Sequence, residues 1–200
     1  LAMIACAELA LDPLPKHKGL CLICVDTIME AAHATLEILD LKPAAVELID
    51  DVLWESTRGQ MAFRDTRALL GLDDAPCKAI LIVEFYDDVE ERIAALGKRD
   101  IGIRKIVVTG PSEMEMVWAL RKAGLSLLTG CKGSAKPVPG IEDVAVPPHR
   151  LPDYVNGLLA IFDKLNLQGS FYGHAASGLL HVRPVLDLHR AEDVARYKQV

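Results

Sequence analysis

The chain has 200 residues, 51% of them apolar and 25% charged, with a formal net charge of −6, which suffices for one full domain with its own core. Its acids are scattered among the lysines and arginines, so no basic stripe follows a phosphate backbone and nucleic-acid binding is excluded. No run approaches the roughly 18 apolar residues a membrane span needs, and residues 1–11 carry Glu8 and no basic flank, so they read as neither anchor nor leader.

The first predicted element is a strand over 19–25, followed by Thr27-Ile28-Met29-Glu30, a capping box that opens a helix with Ile28, Ala31, Ala32, Leu36 and Leu39 on one face. Cys21 and Cys24 fall within the strand, where a three-residue offset sends the thiols to opposite faces. They read as core packing rather than a redox or zinc motif. The five cysteines, an odd number, fit a reducing compartment. An extended run over 44–49 follows the break at Pro43. The pattern then restarts: a strand over 78–85, an acidic helix start at Asp87 and Asp88, a helix through Ile93 and Leu96, and a strand over 103–109.

Ser112-Glu113-Met114-Glu115 reads as a second capping box, beginning a helix that carries Trp118 and Arg121 and ends at Gly124. The loop over 130–140 is rich in glycine and lysine but lacks the spacing of a P-loop; its lysines suit an anion. A third unit runs from a strand over 144–146 through a helix started by Pro152 into strands around residue 174 and residue 181. Three strand–helix–strand units of about 60 residues, without a dinucleotide fingerprint, predict an α+β fold of ferredoxin-like repeated units. The sheet is expected to be largely antiparallel and covered by helices, in a single domain over 1–200.

His174 and His181 are the most informative residues. They bound the stretch Gly173-His-Ala-Ala-Ser-Gly-Leu-Leu-His181, and an odd spacing on a regular strand would point them to opposite faces. They converge only if 175–178 leaves the ladder as a loop, which Gly173 and Gly178 make cheap. Two convergent imidazoles suit a divalent metal or a proton-transfer site. The opposing reading has His174 on a backbone carbonyl and His181 half-buried in its strand. His17, His33, His149 and His189 read as surface or structural. No paired carboxylates or nucleophile elbow appear, so hydrolase chemistry is disfavoured.

Trp118-Ala-Leu-Arg121, Lys136, Glu142-Asp-Val-Ala-Val-Pro147, Phe171-Tyr-Gly-His174 and His181-Val-Arg-Pro-Val-Leu-Asp187 together resemble the C-terminal, substrate-side domain of FAD-linked oxidases. The family is that of the glycolate oxidase large subunit and the D-lactate and D-2-hydroxyglutarate dehydrogenases, and the likeness covers nearly the whole chain. It is nearest to long members fused to an iron–sulfur domain. The resemblance implies a fragment of a longer chain: a cap over FAD held mainly by a domain before residue 1, with an iron–sulfur cluster after residue 200. The lack of an initiator Met and the helical pattern running to Val200 point the same way.

The resemblance further implies oxidation of a D-2-hydroxy acid of lactate, glycolate or 2-hydroxyglutarate type, by a cytoplasmic protein at or near the inner face of the membrane. Electrons would pass through FAD to the iron–sulfur domain or a peripheral membrane acceptor. The fragment alone is expected to be inactive. His174 and His181 fall on the family's catalytic metal ligands, for a zinc-like divalent ion whose acidic third ligand lies beyond Val200. Arg121 falls on the substrate-carboxylate arginine, and Lys136 on a substrate-binding lysine. Where the usual motif has Gly, Asp and Asn, this chain has Ala176, Ser177 and Leu179. Arg183 stands where a substrate-contacting asparagine is usual and implies a larger or more acidic substrate. The alternative from a different class is a non-catalytic α+β ligand-binding module, or a homodimer formed through its sheet edges.

Overall fold

A computed structural model describes residues 3–11 and 13–200. Residues 1, 2 and 12 lie outside it, and the reading of residues 1–11 as neither anchor nor leader falls partly on them. The near-continuous apolar run predicted as the first strand is β1 (Lys18–Val25), buried along almost its whole length. Strands of this kind need cover on both faces. Thr27 caps α1 (Ile28–Leu39): its hydroxyl accepts the Glu30 N–H at 3.0 Å, while the Glu30 carboxylate accepts the N–H of Asp26 at 3.0 Å. β2 (Ala45–Asp50), α2 (Asp51–Glu55), α3 (Arg64–Leu70), β3 (Ala79–Tyr86), α4 (Val89–Gly97) and β4 (Arg104–Val108) complete the first half.

The second half comprises α5 (Pro111–Thr129), β5 (Lys136–Pro137), β6 (Val144–Ala145), α6 (Leu151–Leu165), β7 (Gly169–His174), β8 (Leu179–Leu186) and α7 (Ala191–Tyr197). The strands form one sheet in the order β4-β1-β3-β2-β7-β8-β5, with β6 also paired to β8. Every pairing is antiparallel. The first four strands with α1 and α4 make a ferredoxin-like βαββαβ unit, and β7–β8 extends it. The expected α+β architecture is the one observed.

Alternation along β1 divides the core. Cys21, Ile23 and Val25 pack beneath α1, α4 and α6, whereas Leu20, Leu22 and Cys24 pack beneath α2, α3 and α5. The two cysteines therefore sit on opposite faces as structural core residues. Full burial of each large aliphatic residue here contributes about 1.5–3 kcal/mol.

Two local expectations are corrected. Helix α5 does not stop at Gly124 but continues to Thr129, with Gly130 as its C-cap. Gly124 is a packing residue: a Cβ there would stand 2.9 Å from the Leu53 side chain. Nor does Ser112 cap this helix, which begins at Pro111 after Gly110 with no side-chain cap bond. The pair α2 and α3 was not foreseen, because five and seven residues are too short to show helical periodicity.

The two halves meet at a short seam. β2 and β7 are in register at only two pairs, Glu47↔His174 and Leu48↔Gly173. Beyond them the buried Asp50 carboxylate continues the junction. It accepts the Phe171 N–H at 2.6 Å and the Ser170 hydroxyl at 3.0 Å, and also caps α2 through the Leu53 N–H at 3.1 Å. Burial raises its pKa to about 7 against the pull of these donors. Among the described residues no helix is long and apolar enough to cross a membrane.

Candidate functional site

The hairpin of β7 and β8 brings the two histidines together. His174 pairs with Leu179 and Tyr172 with His181, while a 3-10 turn over Ala175–Ser177 and Gly178 leaves the ladder. Since Tyr172 and His174 share a face and His181 stands opposite Tyr172, the imidazoles emerge on the same side. Their ring centroids are 5.6 Å apart and nearly perpendicular, at 77°. Gly173 and Gly178 are required at these bends. Both have positive φ, and a Cβ would meet the Leu179 carbonyl oxygen at 2.6 Å or that of Val146 at 1.9 Å.

Each imidazole is held by a carboxylate. The His174 Nδ1–H donates to Glu47 Oε1 at 2.7 Å, and the His181 Nδ1–H to Asp143 Oδ1 at 2.5 Å. Asp143 reaches this position from the turn before β6, with its own φ at +65°. The Nε2 lone pair of both rings is then free, as in a histidine presented to a metal or a proton. His174 is half-exposed at 51% and His181 is 22% exposed, so both are reachable from solvent.

Glu47 is itself clamped: Arg121 donates from Nε to Glu47 Oε2 at 2.8 Å, and its Nη2 stands 2.7 Å from the same oxygen as an ion pair. Arg121 lies over the Tyr172 ring, 5.5 Å from its centroid. On the same ring, His181 packs at 4.9 Å. Burial raises the pKa of the Tyr172 phenol, which keeps it neutral. Arg183, two residues beyond His181, donates from Nη2 to Glu142 at 3.0 Å. One face therefore gathers His174, His181, Arg121 and Arg183. Lys136 is not brought to the histidines: it pairs opposite Leu186 on β5 and its ammonium donates to the Cys131 carbonyl.

A structural or catalytic zinc-like site takes three or four protein ligands. Two imidazoles are at hand, but among the described residues no group of three or more His, Cys, Asp or Glu is placed to hold a metal. Glu47 and Asp143 already hold the Nδ1 atoms.

Glu47, Asp143, Glu142 and Tyr172 were not singled out for the site from sequence. Glu47 did carry a signal: it is a lone acid in an apolar strand, and it is buried at 8% exposure, so it needs a partner. Asp143 belongs to a string that carries the resemblance, but its contact depends on a left-handed turn 38 residues away from His181 and was not foreseeable from local pattern.

The fold is similar to part of 4-ethylphenol oxidase from Gulosibacter chungangensis, with which the chain aligns at a TM-score of 0.56 and 13% identity, over 94% of this chain and 43% of that one. That likeness concerns fold alone. The chain belongs to the family described as FAD linked oxidases, C-terminal domain, which it matches over residues 14–200. It is 31% identical to the D-2-hydroxyglutarate dehydrogenases of Haemophilus influenzae and of Escherichia coli, across its whole length. It spans 21% of the length of each of these relatives.

Proposed function

We propose that this chain is the substrate-side domain of a longer FAD-dependent oxidoreductase that converts a D-2-hydroxy acid to the 2-oxo acid. The observation that carries the reading is the convergence of His174 and His181 with each Nδ1 fixed by a carboxylate. Family membership supports FAD as the cofactor, and the names of the relatives support the 2-hydroxy acid.

Oxidation at C2 requires the hydroxyl to lose a proton as hydride leaves the carbon. The Nε2 atoms of His174 and His181 face the hydroxyl end of the acid, and one of them takes the proton. Glu47 and Asp143 lock the tautomer that leaves Nε2 free, and they stabilise the imidazolium that forms. Arg121 uses Nε and Nη2 on Glu47 and keeps Nη1 for the carboxylate of the acid. Arg183 adds positive charge further along the same face. FAD supplies the hydride acceptor when bound. Were a divalent metal held by the two Nε2 atoms instead, it would lower the hydroxyl pKa in place of proton transfer to an imidazole. The onward electron acceptor is an iron–sulfur domain of the longer protein, on the strength of the sequence resemblance.

The test is anaerobic mixing of the full-length, flavin-loaded protein with D- and L-2-hydroxy acids, with and without a chelator. Bleaching of the flavin by D-acids alone supports the reading, and a flavin indifferent to every such acid ends it.

A further inference from the structure

The ion pair of Arg183 and Glu142 is incompletely satisfied. Arg183 is 5% exposed in its side chain, and only Nη2 has a partner. Its Nε and Nη1 atoms are buried without a hydrogen-bond partner, as is Glu142 Oε2. A buried unmade hydrogen bond costs about 1–3 kcal/mol, and more for a charged group. A guanidinium with two such donors is poorly explained as a stabilising element of the fold, since burial of a pair demands that its remaining groups be satisfied. It is well explained as a receptor that a ligand completes.

Its position suits the acid. Arg183 follows His181 by two residues on β8, so both leave the same face about 6.6 Å apart along the strand. Tyr172, its ring tilted at 40° against that of His181, lies beside them. Neighbouring residues of one turn hold both side chains, Asp143 on His181 and Glu142 on Arg183. An acid with its hydroxyl at the imidazoles would thus direct its far end toward Arg183.

Resting on the 2-hydroxy-acid reading above, we infer that Glu142 is a positioning residue that holds Arg183 so that its free N–H groups receive a second carboxylate. The pair thereby separates 2-hydroxy dicarboxylates from 2-hydroxy monocarboxylates. The second carboxylate meets charge-assisted donors. A substrate lacking it leaves those donors buried and unpaired, and such a penalty discriminates more strongly than an apolar contact can.

The experiment uses the full-length, flavin-loaded protein with D-2-hydroxyglutarate and with D-2-hydroxypentanoate, in which a methyl group replaces the second carboxylate. The wild type is expected to favour the dicarboxylate by at least about 100-fold in kcat/KM. Glu142→Gln should lower that ratio about tenfold or more, through KM and through the calorimetric Kd of 2-oxoglutarate. Values of kcat, and both constants for the pentanoate, should move less than about threefold, and Glu142→Asp should recover part of the ratio. Equal losses for both acids would mark Glu142 as merely structural and overturn the inference, as would an unchanged ratio. A wild type without preference overturns it while leaving the hydroxy-acid reading intact. A wild type indifferent to all 2-hydroxy acids removes both.

Discussion

The strands β1 and β3 and the strands β7 and β8 belong to one sheet but carry different chemistry. β1 and β3 are apolar on both faces, with Leu20, Leu22 and Ile80 beneath one set of helices and Ile23, Leu81 and Val83 beneath the other. β7 and β8 bury Phe171, Leu180 and Val182 on one side and present Tyr172, His174, His181 and Arg183 on the other. The difference teaches where a sheet can host a site: a face loses its apolar residues only where the opposite face still supplies core burial.

If the division holds, damage to the two regions should be separable. The largest expected effect is on chemistry: His181→Ala in the full-length, flavin-loaded protein should slow flavin reduction by about 100- to 10,000-fold with little change in melting temperature, since on the proposed reading it removes an acid–base group from a position outside the apolar core. Leu22→Ala, on the doubly buried strand, should do the reverse. It should lower unfolding free energy by about 2–5 kcal/mol in denaturant titrations while the molecules that remain folded keep their kcat. A Leu22→Ala protein with normal stability and lost activity would abolish the distinction.

Asp143→Asn is expected to reduce activity about 10- to 100-fold, because it disturbs the tautomer of His181 without removing the ring. An unchanged melting temperature beside the slower rate would place its role in chemistry, whereas equal loss of stability and rate would place it in the loop. Asp50→Asn tests the junction and should cost about 1–3 kcal/mol, as an amide N–H₂ then faces backbone or hydroxyl donors. The same residue imposes a pH dependence. Its folded pKa of about 7 lies above its unfolded value, so the folded state binds more protons between about pH 4 and 7. The stability contributed by Asp50 is full below pH 4 and declines as pH rises toward 7. The gap between wild type and Asp50→Asn should therefore narrow across that window, and a gap that widens with pH would contradict the assignment.

Much of the sheet was legible because its signals are local. The Thr27 capping box, the apolar runs of β1 and β3 and the glycines around 173–178 each act within a few residues. The convergence of the histidines was legible too, since hairpin parity follows from which residues leave the ladder. What stayed hidden is long-range or too short to show a period. Helices α2 and α3 have too few turns. Gly124 looked like a helix terminus but answers to the side chain of Leu53, 71 positions away in the sequence. The partners of the site residues, Glu47 for Arg121 and Glu142 for Arg183, lie 74 and 41 residues distant from them.

The two-pair seam between β2 and β7 joins more than two pieces of sheet, because the bond from His174 to Glu47 crosses it. Any sliding of one half-sheet past the other would detach the imidazole from its carboxylate before it disturbed either hydrophobic layer. If the proposed proton transfer holds, this pairing is a built-in gauge of mechanical alignment, and a chain that has slipped there would lose it while still looking folded.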